Sequence, residues 1–250
     1  MTIDEFVEKM KQKAAKGVLE VSGTGKLVKR TWSFPRGHSE IMVIRGGSIE
    51  KAAIQHMRLQ NITMPGISGE HDAVVFQMEV FPENPYCPMG HFNIEWTSTE
   101  PQRYTINLDL FPAVRVEEDL RAMKTAMDKV ADLFSRDREK MREMLDTQYT
   151  MEHFATPLAT KVGCKFRGLK SEELDLLFTA YETFLPVYLE IIRKRRGTPY
   201  TEKDRNFKLE RNGKWLEYLL LKDGAIKAAR DQGVPPEVLI EQGLPPIASF

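Results

Sequence analysis

The chain has 250 residues, with 36 Lys plus Arg against 36 Asp plus Glu and no formal net charge. That length suffices for one substantial core, so a single domain spanning 1–250 is expected, and the charge balance argues against a protein dedicated to nucleic acid. No apolar run approaches the ~20 residues of a membrane span. The acidic start Met1-Thr-Ile-Asp-Glu5 is unlike a secretory leader, and Cys87 and Cys164 form no C-x-x-C pair, so a cytoplasmic protein with reduced thiols is expected.

Thr2-x-x-Glu5 reads as a capping box opening a helix, with Phe6, Val7 and Met10 starting its apolar stripe and Gly17 as its stop. From about Lys26 to Leu110 the hydrophobic period becomes two. Strands are expected at 27–34, 40–45, 55–63, 73–81, 91–98 and 103–110, with turns at Pro35-Arg-Gly37, Gly46-Gly47, Pro65-Gly66 and Glu83-Asn-Pro85. Connections this short leave no room for crossover helices, so the sheet should be mainly antiparallel.

Beyond Pro112, Val116, Leu120, Met123, Met127, Val130 and Phe134 form one helical stripe, with Glu117, Glu118 and Asp119 at its favourable end. Further helices are expected over 137–153, from Ser171 to about Arg196 with a kink at Pro186, and over 201–211. Asn212-Gly213 reads as a turn into a strand at 214–221, and the Pro-rich tail 234–250 ends the fold. Strands first, helices later and one late strand define an α+β fold, a large mainly antiparallel sheet with helices on both faces.

The chemistry concentrates on two strands. His91, Asn93 and Glu95 point one way from 91–98, and Thr105, Asn107 and Asp109 share a face of 103–110. The plain alternative is a solvated outer face of an antiparallel sheet. The mixture of an imidazole, carboxylates and amides instead suits proton transfer, which needs groups that exchange protons near neutrality and amides to hold them. Ser22-Gly-Thr-Gly-Lys26 lacks the hydroxyl residue of a phosphate loop, since Leu27 follows the lysine. No dinucleotide fingerprint is present. The histidines at 38, 56, 71, 91 and 153 show no ligand spacing, so no metal is expected.

Several segments, in order, resemble the oxygen-dependent coproporphyrinogen III oxidases. They are Gly46-Gly-Ser-Ile-Glu-Lys-Ala52, Asn84-Pro-Tyr-Cys-Pro-Met-Gly-His-Phe-Asn93, Leu108-Asp-Leu-Phe-Pro112 with Glu117-Glu-Asp119, Phe184-Leu-Pro-Val-Tyr-Leu189, Pro199-Tyr-Thr-Glu202 and Arg211-Asn-Gly-Lys-Trp-Leu-Glu-Tyr218. The resemblance implies α/β/α layers, a homodimer and a tetrapyrrole over the sheet. It also implies oxidative decarboxylation of propionates to vinyls, with dioxygen as co-substrate and no cofactor.

His91, Asn93 and Asp109 match family site positions. Asp109 is expected as the base on a pyrrole nitrogen, His91 as proton donor and Glu95 as a further acid. Asn93, Asn107 and Gln77 are expected substrate contacts, with Arg36, Arg45 and Arg58 (and Lys51) receiving carboxylates. His153 is a further candidate match. The family pattern has arginines where this chain has Glu95, Asp223 and a residue near Pro235. An anion in place of a cation ~4 Å from a propionate turns ~4 kcal/mol of attraction into similar repulsion at an effective dielectric of 20, softened by water.

Phe81-Pro…Tyr86-x-Pro-Met89-Gly90 is faintly similar to the ferredoxin-dependent bilin reductases, for which reduced ferredoxin would be the partner. A tetrapyrrole-binding homologue without catalysis is the third reading.

Overall fold

A computed structural model describes residues 2–64 and 67–250; the turn expected at Pro65-Gly66 lies outside the described residues. Seven strands form one antiparallel sheet in sequence order: β1 (Lys26–Phe34), β2 (Gly37–Gly46), β3 (Ile49–Met64), β4 (Ile67–Pro82), β5 (Met89–Thr97), β6 (Arg103–Phe111) and β7 (Cys164–Leu169). The helices are α1 (Ile3–Ser22), α2 (Glu117–Leu133), α3 (Arg138–Tyr149), α4 (Leu174–Arg195), α5 (Glu202–Leu221), α6 (Gly224–Asp231) and α7 (Pro236–Gly243). The α+β expectation therefore holds. No helix among the described residues is long and apolar enough to cross a membrane.

Alternation along the strands makes two different sheet faces. One is apolar over its centre: Phe76, Met78, Phe92, Ile106 and Leu108 are buried with residues of α1, α2 and α4. Phe92 meets the rings of Phe184 and Tyr188 edge-on, with centroids 4.9 and 5.5 Å away. A buried side chain of this size contributes ~1.5–3 kcal/mol. The other face carries two separate apolar clusters. One joins Ile41, Val43 and Ala53 to Ala229 and Val238 of α6 and α7. The second joins Phe81, Met89 and Phe111 to Tyr149, Trp215 and Tyr218. A polar floor lies on the same face. Cys87 and Cys164 are buried free thiols. Burial pushes both pKa values up, that of Cys87 to about 12.

Three sequence expectations are corrected. α1 does not stop at Gly17 but runs to Ser22. Gly17 is there for close packing, since a Cβ would sit 2.4 Å from Leu189 Cδ1. The late strand is 164–169, not 214–221, and the latter segment is the second half of α5. Asn212-Gly213 is helical rather than a turn, because the C-terminal segment presses against it. Asn212 Nδ2 donates to Ile247 O at 2.8 Å, and a Cβ on residue 213 would lie 2.0 Å from Ser249 O.

Alanine normally gains about 1 kcal/mol over glycine inside a helix. For Gly213→Ala we expect the clash with backbone to win, giving a net loss of about 1–3 kcal/mol in urea unfolding. A stabilised variant would show that the C-terminal segment does not dock there.

Candidate active site

Strand register builds the floor. Gln55 pairs with Gln77, Gln77 with Asn93, Asn93 with Asn107, and Asn107 with Lys165, so one polar row crosses five strands. A neighbouring row places Glu79 beside His91 and His91 beside Asp109. Over these rows lies a cavity of about 860 Å³, lined by His91, Asn93, Asn107, Tyr149, Lys165 and Arg167 among others. A smaller one of about 190 Å³ adjoins it, and Gln77, Asn93, Glu95, Asp223 and Ala225 line both.

His91 is buried, its Nδ1 2.7 Å from Glu79 Oε1, and its ring lies among Phe111, Tyr149 and Trp215. Glu79 has 0% exposure, and burial raises its pKa against the lowering pull of His91 and Gln77. The 2.7 Å contact joins the two groups through one hydrogen bond. With Nδ1 held by Glu79, Nε2 is the ring atom left to exchange a proton with a ligand. Sequence reasoning missed Glu79, although Gln77-Met-Glu79 carries the same alternating polar signal as strand 91–98.

Asn93 Nδ2 donates to Glu95 Oε1 at 2.8 Å, and Asn107 Nδ2 to the Tyr149 hydroxyl at 2.6 Å. The buried carbonyl oxygens Asn93 Oδ1 and Asn107 Oδ1, with Glu79 Oε2, accept no hydrogen bond from the chain. Asn93 and Asn107 line the large cavity, so their amides suit a ligand that carries N–H groups, whereas Glu79 lines neither cavity and acts through His91.

Asp109 shares the face of His91 but does not line the cavity. Its carboxylate has 0% exposure and accepts from Thr160 Oγ1 (3.0 Å), Lys161 N (2.8 Å) and Gly163 N (3.0 Å). Burial raises its pKa while these donors oppose the shift. This geometry makes Asp109 the latch that fastens the segment before β7, in place of the substrate base expected from sequence.

The arginines expected to receive carboxylates also lie elsewhere. Arg36 Nη1 donates to Asn61 O (2.7 Å) and Gln232 Oε1 (3.0 Å); Arg45 is 3.5 Å from Glu241; Arg58 pairs with Asp4. None lines either cavity. Arg58 alternates with the cavity-lining Met57 and so points to the opposite face. Lys51 is buried and bound to Leu244 O, with burial lowering its pKa to about 8. His153 is exposed, 3.1 Å from Glu217.

Four other cations line the large cavity: Lys140 of α3, Lys165 and Arg167 of β7, and Lys222 at the end of α5. None of the four forms an ion pair with a carboxylate of another cavity residue. Lys165 Nζ and Arg167 Nη2 converge on the neutral Gln148 Oε1, at 2.6 and 3.1 Å. Burial, with Arg167 adding to it, lowers the Lys165 pKa to about 7. Lys165, Arg167 and Lys222 are not legible in the sequence because β7 and the end of α5 differ from the elements expected there; Lys140 lies on an expected helix, α3.

A polar sheet floor with His91 at its edge and cations along one wall is a geometry that suits an anionic organic molecule. The family model for coproporphyrinogen III oxidase matches residues 2–250. The chain belongs to that family, a family of oxidase enzymes whose substrate is a tetrapyrrole.

Two outcomes follow from this geometry. Asp109→Ala should strip three donors of their acceptor and lower stability by about 2–4 kcal/mol in urea unfolding. Unchanged stability with abolished turnover would overturn the latch and restore the base. Lys165 has a folded pKa of about 7 against an ordinary 10.5, so its contribution is present above 10.5 and is lost as pH falls through 7. Lys165→Met should gain stability over the parent most clearly below pH 7, with the gain shrinking toward pH 10.5. A pH-independent difference would refute the buried charge.

Proposed function

We propose that the chain binds a propionate-bearing tetrapyrrole in this cleft and oxidises it with dioxygen, in the manner of its family. The observation that carries the reading is the convergence, on one cavity, of Lys165 and Arg167 on a neutral partner, the amides of Asn93 and Asn107, and His91 held by Glu79. Pyrrole N–H groups suit the amide oxygens of Asn93 and Asn107, and propionates suit Lys165 and Arg167. Each turn of the reaction converts –CH2–CH2–COOH plus O2 into –CH=CH2, CO2 and H2O2. His91, backed by Glu79, takes the proton released from a pyrrole nitrogen, which Asp109 under its loop does not reach.

A second reading, reduction of a linear tetrapyrrole with electrons from reduced ferredoxin, draws support from one feature. A carboxyl whose pKa is raised by burial, as in Glu79, can supply a proton to the cavity through its hydrogen bond to His91, as a reductase needs.

The test incubates purified protein with porphyrinogens in air and follows vinyl products chromatographically. His91→Ala and Glu79→Gln should each lower turnover by about 10²–10⁴-fold, while porphyrin binding, read by visible absorption, changes only a few-fold. Turnover of bilins only with reduced ferredoxin would favour the second reading. Binding without product under either regime would leave a non-catalytic homologue.

A further inference from the structure

We infer that the preferred ligand is amphiphilic, a dicarboxylic tetrapyrrole with its acids along one edge and apolar substituents along the other. This rests on the tetrapyrrole reading and specifies it. The two cavities differ in chemistry. The large one holds all four cations, with Glu95, Glu143 and Asp223 as its carboxylates. Glu95 is engaged by Asn93, and Asp223 caps α6 through Ala225 N and Ile226 N. The cations instead rest on neutral partners, Gln148 for Lys165 and Arg167 and the carbonyls of Thr147 and Thr150 for Lys222.

The small cavity is walled by Met57, Leu59, Ile62, Val75, Trp96 and Leu239. Its only charged lining groups among the described residues are Glu95 and Asp223, both anions. A carboxylate pushed into this lobe would lose water, meet no cation and face two like charges. A methyl, ethyl or vinyl group there would gain apolar contact instead. Because the lobes share five lining residues across Gln77, Asn93, Glu95, Asp223 and Ala225, one flat ligand can occupy both. Its acids then belong at the β7 end and its uncharged edge against β3 and β4. A carboxylate beside Lys165 also restores the charge that burial disfavours.

Porphyrins provide air-stable probes: coproporphyrin with four carboxylates, and mesoporphyrin with two carboxylates and two ethyl groups. Titrations of the full chain, read by Soret absorption and tryptophan quenching, should show mesoporphyrin binding at least about tenfold more tightly, the worth of ~1.4 kcal/mol. Val75→Lys, which puts a cation in the apolar lobe, should shift that preference toward coproporphyrin. Ala228→Lys, on the exposed surface of α6 at the same lobe, should do so without touching the core. Lys165→Met with Arg167→Met should weaken both porphyrins together. Equal or tighter binding of coproporphyrin by the parent chain, or an unmoved preference in both lysine variants, overturns the inference and leaves the tetrapyrrole reading intact. Binding of neither porphyrin overturns the tetrapyrrole reading itself.

Discussion

The site depends on antiparallel register. Side chains on paired strands line up on one face, and a one-residue slip would send them to the other. Here the slip would bury the amides of Gln77, Asn93 and Asn107 among Phe76, Phe92 and Ile106, and expose those apolar residues to the cleft. The apolar face therefore fixes the polar one. The rings of Phe92, Phe184 and Tyr188 lock the register of β5, and His91 is then placed opposite Glu79 without any contact of its own having to secure it.

Asp109 extends that control to the cationic wall. By fastening Thr160, Lys161 and Gly163, it sets where the chain enters β7, and so where Lys165 and Arg167 stand. A residue that makes no contact with the cleft thus shapes its charge. The burial that makes Asp109 unsuitable as a base makes it effective as an anchor, because buried N–H groups left without an acceptor are costly.

Much of the sheet was legible because β1 to β6 are joined in sequence order and alternate clearly between apolar and polar residues. The pairing of His91 with Asn93 and Asn107 on one face followed from period two alone. β7 was hidden: Cys164-Lys-Phe-Arg-Gly-Leu169 is short and follows α2 and α3 rather than a hairpin turn. The end of α5 was hidden differently. Asn212-Gly213 has turn chemistry, and only contact with Ile247 and Ser249 explains why it is helical. Since Lys165, Arg167 and Lys222 sit on these two segments, the cations were lost with them. Glu79 was visible as a polar residue in an apolar strand, but its meaning required knowing that its neighbour is His91.

The buried cysteines bear on the proposed chemistry. Peroxide attacks sulfur mainly as the thiolate, and burial holds Cys87 and Cys164 in the neutral form throughout the physiological range. Hydrogen peroxide leaving the cleft would therefore find neither sulfur ready to become a sulfenic acid. Under the proposed oxidation, the burial that completes the core also shields both sulfurs from the product.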